Sequence, residues 1–415
     1  MHEKLVLDNG VRIVFEKIPH VRSASVGVWV QSGTRNEPAE LNGVSHFIEH
    51  MVFKGTKTKS ASDMARVMDS IGGQVNAFTT KECTSFYLKT LDYHLQTGLD
   101  ILFDMVLEAK FDEEDVETER GVIVEEIGMY EDSPEDLVTE QMLESIYRGS
   151  ALGMPILGKR ETLENMDGKT MRRYLEEHYR PENIIVAISG SFTDEHLAYV
   201  KKRFSVLTGK GENPCPPANY QKTTVVKKKD IEQTHICLGF PSIPSGSEHR
   251  YAMQIFNNIL GGGMSSRLFQ KVREEQGLCY SIYTFTSPSI DTGAFGIYVA
   301  LSPKMQKKAL EIICQELHEI SENGVSEEEL IRVREQIKAI MLMGLESTSS
   351  RMSFLARSEM VYGDVQTPDD IIERYDAVTA EEIRALAARV LDFDQVSISA
   401  VGKVEDQAFY EKLVK

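Results

Sequence analysis

Asn42-Gly43-Val44-Ser45-His46-Phe47-Ile48-Glu49-His50-Met51-Val52-Phe53 is the stretch from which the rest of the chain is read. On a helix, positions i, i+3 and i+4 share one face, so His46, Glu49 and His50 project together. Two imidazoles one turn apart can reach one metal ion, and Glu49 beside them can take a proton from a water held there. The order H-x-x-E-H inverts the commoner H-E-x-x-H metal helix. Histidine pairs one turn apart also occur as plain surface or core pairs. Here Phe47, Ile48, Met51, Val52 and Phe53 are apolar, so the helix is expected to be buried. Buried ionisable groups pair with one another or ligate metals.

Two histidines leave such a site short, because catalytic zinc takes three protein ligands and keeps one position for water. A third donor is expected on a neighbouring element. Glu117-Thr118-Glu119-Arg120-Gly121-Val122-Ile123-Val124-Glu125-Glu126 reads as part of a long helix that follows the start signal Phe111-Asp112-Glu113-Glu114. Glu119 and Glu126 stand two turns apart on one face, and the apolar Val122 and Ile123 between them are expected to turn that face inward. A solvated acidic face accounts for Glu113, Glu114 and Glu117, and accounts less well for Glu126.

These motifs resemble the inverted-motif zinc peptidases of the pitrilysin and mitochondrial processing peptidase family. The resemblance is carried by Gly43 to Thr56, by Gly72-Gly73-Gln74-Val75-Asn76-Ala77-Phe78-Thr79 and by Glu119 to Glu126, and it extends over essentially the whole chain. It is strongest to the short bacterial members. In that family the third ligand follows the second histidine by about this interval, and the position 76 residues after His50 is Glu126, not Glu125.

Composition sets the outer limits. A chain of 415 residues is too long for one ordinary core, so two domains are expected. A 41% hydrophobic, 27% charged composition is that of a globular protein. The net charge of -18 argues against nucleic acid as a partner. Cys83, Cys215, Cys237, Cys279 and Cys314 are scattered and form no C-x-x-C pair, which favours a reducing compartment and excludes a cysteine metal cluster. No apolar run approaches a membrane span. Met1 leads directly into a strand pattern with no room for a targeting segment, so a cytoplasmic protein is expected.

Along the chain, Asp8-Asn9-Gly10 between Lys4–Leu7 and Val11–Glu16 signals a hairpin. Ser23 to Ser32 alternates apolar and polar residues as a third strand. Ser60 caps a helix whose inner face is Met64, Val67, Met68 and Ile71. Val75 to Leu91 reads as two strands around Lys81, Leu95 to Leu107 as a helix, and Asn183 to Ser189 as a buried strand. Gly209 to Pro217 is rich in Gly, Pro and Asn, as a linker is. Beyond it the first half repeats. Thr234 to Phe240 stands for the Val26-to-Ser32 strand, Gly277 to Thr284 for Gly72 to Thr79, and Gln395 to Gly402 for Ile184 to Gly190. A period near ~200 residues means duplication of a whole domain. Overlaying the copies sets Met253 opposite His46, Phe256 opposite Glu49, Asn257 opposite His50 and Ile340 opposite Glu126, so the second copy has no metal ligands. The expected fold is α+β, with two duplicated domains, each a largely antiparallel sheet with helices packed on one face. The expected boundaries are 1–208 for a catalytic metal-binding domain, 209–222 for a linker and 223–415 for a homologous domain that encloses substrate.

The expected mechanism is zinc-dependent hydrolysis of peptide bonds. One Zn²⁺ per chain is held by His46, His50 and Glu126, Glu49 acts as general base, and Glu119 lies behind the ligands and orients a histidine or the water. The resemblance implies further roles. Arg273 and Tyr280 match a family Arg and a Tyr seven positions later that serve near the substrate. Asn76, Ala77 and Phe78 match the edge strand that pairs with peptide, although Phe78 also reads as core. Asp136 and Glu140 match an acidic pair that reads a basic side chain near the cut. Gly261-Gly262-Gly263 lacks the G-K-[ST] ending of a phosphate loop and matches the family's flexible glycine-rich loop. The family encloses peptides between two two-domain units, so a homodimer is expected, with pairing to an inactive homologue as the alternative. Unfolded peptides or short extensions are the expected substrates. The competing reading, an inactive subunit of a processing peptidase, requires loss of the H-x-x-E-H residues, and this chain has them all.

Overall fold

The computed structural model describes residues 2–414. Two compact units interleave along the chain: Met1–Ile127, Met154–Pro216 and Met343–Val365 form unit 1, and Gly128–Gly153, Pro217–Leu342 and Gln366–Lys415 form unit 2. The stretch expected as a linker carries no helix or strand between residues 209 and 222. Its first part is fastened to unit 1, where the Asn213 amide donates to the Gln31 and His178 carbonyls at 2.9 and 3.1 Å.

Unit 1 holds strands β1 (Glu3–Val6), β2 (Arg12–Lys17), β3 (Ser23–Val30), β4 (Gln74–Thr79), β5 (Thr84–Leu91) and β6 (Ile184–Gly190). They pair in the order β1-β2-β6-β3-β5-β4, antiparallel throughout except for β2 with β6. Unit 2 holds β7 (Thr224–Lys228), β8 (Thr234–Ser242), β9 (Cys279–Pro288), β10 (Gly293–Leu301) and β11 (Ser397–Gly402). Their order is β7-β11-β8-β10-β9, antiparallel except for β7 with β11. With β1 set aside, the two orders match strand for strand, so the duplication seen in the sequence is a duplication of sheet topology. Gly72 and Gly277, which lead into the matched strands β4 and β9, both adopt the left-handed conformation, with φ +59° and +60°, that glycine enters without a Cβ clash.

The registers also correct one detail of the overlay. Val26 lies opposite Ile188 and Ile236 opposite Ala400. Because Gly190 and Gly402 end the matched strands β6 and β11, Val26 corresponds to Ile236 rather than to Thr234. The two-residue slip preserves which face each side chain takes, as a period of two requires.

Five helices of the first half matter below: α1 (Val44–Met51), α2 (Ala61–Ser70), α3 (Leu95–Leu107), α4 (Glu113–Asp132) and α5 (Pro134–Ile146). Ser60 caps α2 as expected, its hydroxyl accepting from the Asp63 N–H at 3.1 Å. Phe47, Ile48 and Met51 of α1, Met64 and Met68 of α2, and Leu99, Leu102 and Phe103 of α3 pack with Ile13, Phe15, Val26, Val28, Val30, Phe86 and Leu88 on one face of the unit 1 sheet.

The other face is not open to water. Val14, Trp29, Ile185 and Ala187 meet Met352, Leu355 and Ala356 of the helix Thr348–Tyr362. Ser25, a polar residue of the alternating strand β3, is fully buried and shares hydrogen bonds with the hydroxyls of Thr348 and Ser349 at 2.9 and 3.0 Å. Unit 2 mirrors this arrangement. Val138, Met142 and Ile146 of α5 pack with Cys237, Ala294, Tyr298 and Val401. Each half of the sequence therefore lends one helix to the other half's sheet. A sheet whose second face is also apolar needs such a cover, and this is why the compact units cut across the expected boundaries 1–208 and 223–415.

Candidate metal centre

Helix α1 starts without a side-chain cap of its own: Gly43, at φ +97°, holds the N-cap position. Glu37 substitutes from six residues upstream. Its carboxylate accepts the N–H groups of Gly43 and Ser45 at 2.7 and 2.8 Å and the Asn42 amide at 3.1 Å. Burial pushes the Glu37 carboxyl above its ordinary range, and the hydrogen bonds from Ser45 and Gly43 oppose that shift. A carboxylate here also meets the positive end of the helix dipole.

With Phe47, Ile48 and Met51 fully buried, α1 can present only one side to the site. That side carries His46, which is buried, and Glu49 and His50, which are half-buried. The imidazole centroids lie 4.6 Å apart. Helix α4 faces them through Val116, Glu119, Ile123 and Ile127, all buried, and half-buried Glu126. Val122, expected to help turn this face inward, is 48% exposed. The inward stripe follows the three-and-four spacing of a helix through Ile123 and leaves both Val122 and Glu125 outside.

Glu126 Oε2 lies 3.6 Å from His46 Nε2 and 3.5 Å from His50 Nε2. A tetrahedral divalent ion with bonds of about 2.0–2.2 Å requires ligand atoms about 3.3–3.6 Å apart. Glu126 therefore already stands from each histidine at the separation such an ion imposes, and both distances are long for hydrogen bonds. Among the described residues this is the one group of three or more His, Cys, Asp or Glu side chains so gathered, with all ligand atoms within 4.8 Å of one another. Burial, with the neighbouring His50 adding to it, pushes His46 down to about 3, so His46 is neutral at ordinary pH, as a metal ligand must be. Burial raises the Glu49 carboxyl, the Thr79 hydroxyl and His50 oppose the shift, and Glu126 adds to it. Glu49 Oε2 and His46 Nδ1 are buried without a hydrogen-bond partner, which suits a site meant to hold more than protein.

Beside the candidate ligands, Glu119 Oε1 bonds His50 Nδ1 at 2.8 Å. The other oxygen, Oε2, is ion-paired with Lys54. Neither Lys54 nor Glu37 was singled out from the sequence. Lys54 stands four residues after His50, a spacing that could have flagged it. No local rule reaches from Glu37 to a helix that begins seven residues later.

Asn76, Ala77 and Phe78 lie on β4, the terminal strand of its sheet, which pairs with β5 alone among the described residues. Asn76 is exposed and Ala77 half-buried. The Phe78 ring packs edge-on against Trp29 at 5.3 Å, so its side chain belongs to the core beneath the sheet. Arg273 and Tyr280 belong to unit 2. Arg273 lies in the helical segment Phe269–Glu274 and Tyr280 at the start of β9, with the guanidinium 5.1 Å from the centroid of the Tyr280 ring, which is 77% exposed. Asp136, exposed, and Glu140, half-buried, share a face of α5 in unit 2. At the positions matched to the ligands, Met253 and Phe256 are buried core, Asn257 is half-buried and Ile340 is exposed.

Comparison with known proteins agrees with this arrangement. Residues 12–160 match the Insulinase family, Peptidase family M16, and residues 165–337 match the Peptidase M16 inactive domain. An uncharacterized zinc protease of Bacillus subtilis is 41% identical, the match covering 95% of this chain and 97% of that protein. One of Streptomyces coelicolor is 37% identical over 97% of this chain and 90% of its own length. Among solved structures, a protease from Helicobacter pylori shares the fold with a TM-score of 0.89 at 22% identity, over 97% of this chain and 99% of that one. A peptidase M16 inactive domain from Pseudomonas fluorescens does so with a TM-score of 0.91 at 17% identity, over 98% and 99%. A chain with both M16 domains in order, and with relatives this close over nearly its whole length, belongs to peptidase family M16, the pitrilysin-type peptidases, in its short bacterial form.

Proposed function

We propose that this chain is a zinc-dependent endopeptidase that hydrolyses unfolded peptides or short extensions enclosed between two-domain units. The observation that carries the reading is the approach of Glu126 to His46 and His50 at 3.6 and 3.5 Å, all three donors lying within 4.8 Å of one another, with Glu49 on the helix face of the two histidines. The names of the relatives in Bacillus subtilis and Streptomyces coelicolor, zinc proteases, support the choice of metal. His46, His50 and Glu126 would hold one Zn²⁺, which when bound lowers the pKa of a water towards about 7 and polarises the scissile carbonyl.

The chain's own groups do the rest. Glu49, made more basic by burial, takes the proton of the attacking water and delivers it to the leaving amine nitrogen. Glu119 accepts from His50 Nδ1 and fixes the plane of that ring. The free edge of β4 offers backbone N–H and C=O groups to an extended peptide alongside Asn76, Ala77 and Phe78. Arg273 and Tyr280 serve as donors near the substrate, and Asp136 and Glu140 recognise a basic side chain near the cut. The working form is a homodimer, with pairing to an inactive homologue as the alternative. The scattered cysteines, with no C-x-x-C pair among them, fit a reducing, cytoplasmic setting. No helix among the described residues is long and apolar enough to cross a membrane.

Glu49→Gln tests the mechanism. It should abolish cleavage of a mixed peptide library, read by mass spectrometry, while metal analysis still finds about one zinc per chain. Full activity in that variant refutes the general-base role.

A further inference from the structure

We infer that Lys54 is a positioning residue for the metal centre: it holds the Glu119 carboxylate so that His50 carries its proton on Nδ1 and turns a bare Nε2 towards Glu126. The inference rests on the reading of His46, His50 and Glu126 as the metal ligands.

Glu119 is 6% exposed, and a buried carboxylate needs a countercharge and hydrogen-bond donors. The two oxygens have different partners: His50 Nδ1 lies 2.8 Å from Oε1, and Oε2, which accepts no hydrogen bond, is ion-paired with the Lys54 ammonium. The carboxylate is thus pinned at both ends. An ionised carboxylate only accepts, so the imidazole nitrogen against it must be the donor. A neutral imidazole carries one N–H, and with that N–H on Nδ1 the lone pair is on Nε2. His50 Nε2 is the atom that stands 3.5 Å from Glu126 Oε2.

The backbone around Lys54 is built to keep the ammonium in place. The Lys54 N–H donates to the Met51 carbonyl at 3.0 Å, continuing the turn that ends α1. Gly55, at φ +132°, bridges to Ser60, and its carbonyl accepts the Lys110 N–H at 3.1 Å. The chain therefore leaves α1 in a tied turn, and the Lys54 side chain, 29% exposed, runs back over the helix end to Glu119. With a neutral residue at 54, Glu119 loses the partner that fixes one of its oxygens and is free to rotate away from His50.

Lys54→Met tests this by two readouts. In the metal-free protein, two-bond ¹H–¹⁵N spectra of the imidazoles report the tautomer, and the His50 ring is assigned by its loss in His50→Gln. The wild type should show His50 protonated on Nδ1, and Lys54→Met should show a mixture of both tautomers. In chelator competition, Lys54→Met should bind zinc about 10–100-fold more weakly, the range seen when an outer partner of a ligand is removed. Lys54→Arg, which keeps a cation at similar reach, should restore both signals. A purely structural role would move neither the tautomer nor its rescue by arginine. Should Lys54→Met fail to fold, Lys54→Gln carries the same expectations. An unchanged tautomer and unchanged zinc affinity in the neutral variant overturn the inference. A wild type that binds no zinc overturns the functional reading instead, and the metal-free spectra then decide the role of Lys54 by themselves.

Discussion

Glu125 and Glu126 are chemically identical neighbours, and the helix separates them completely. One step along α4 is a 100° turn, which leaves Glu125 exposed and brings Glu126 to the histidines. Glu126→Gln should weaken zinc binding by more than about 100-fold, beyond the loss expected for an outer partner, while Glu125→Gln should leave it unchanged. Isothermal titration of the two variants checks this, and equal affinities would remove Glu126 from the ligand set. The same residue-scale logic explains why Val122 lies outside. An apolar side chain near an inward glutamate is not itself inward unless it falls on the same three-and-four stripe. Ile123 does, and Val122 does not.

At the scale of elements, the least expected feature is the exchange of helices. Met352, 1% exposed, sits with its Sδ 2.6 Å from where a Cβ on Gly27 of β3 would lie. Met142, 2% exposed, stands in the same relation to Gly239 of β8, at 2.9 Å. Each unit thus leaves a glycine gap in its central strand, and the lent helix fills it with a methionine. Charge reinforces the fit in unit 1, where buried Glu359 pairs with Lys4 at 2.8 Å and Arg351 pairs with Glu16 at 2.9 Å. Met352→Ala and Met142→Ala should each cost about 2–5 kcal/mol in urea unfolding, the range for truncating a buried methionine. A cost below about 1 kcal/mol at either site would mean that the methionine is not seated as described. The same scale governs α1, an eight-residue helix too short to persist without its core face and its borrowed cap from Glu37.

For the whole molecule, one duplicated topology carries one candidate metal centre among the described residues. The second copy keeps the strand order and fills the equivalent positions with Met253 and Phe256, core residues that ligate nothing. The proposed clamshell of two chains makes a direct prediction. Sedimentation velocity of the active enzyme should report twice the 46.7 kDa chain mass. A fully active species at the single-chain mass would sink the homodimer.

The sequence by itself determined whatever depends on neighbours along the chain. Helical spacing aligns His46, Glu49 and His50, Ser60 caps α2, and a period near ~200 residues reveals the duplication. These follow from backbone geometry, which is the same in any context. The choice of Glu126 was legible only through resemblance, because no local rule relates residues 76 positions apart. Only the tertiary structure decided which helix covers the second face of each sheet, that Ser25 of β3 is buried against Thr348 and Ser349, that β4 ends its sheet, that Glu37 caps α1 and that Lys54 pairs with Glu119. Those outcomes rest on surfaces meeting across long stretches of chain, and burial and pairing there depend on the partner that arrives as much as on the residue that waits.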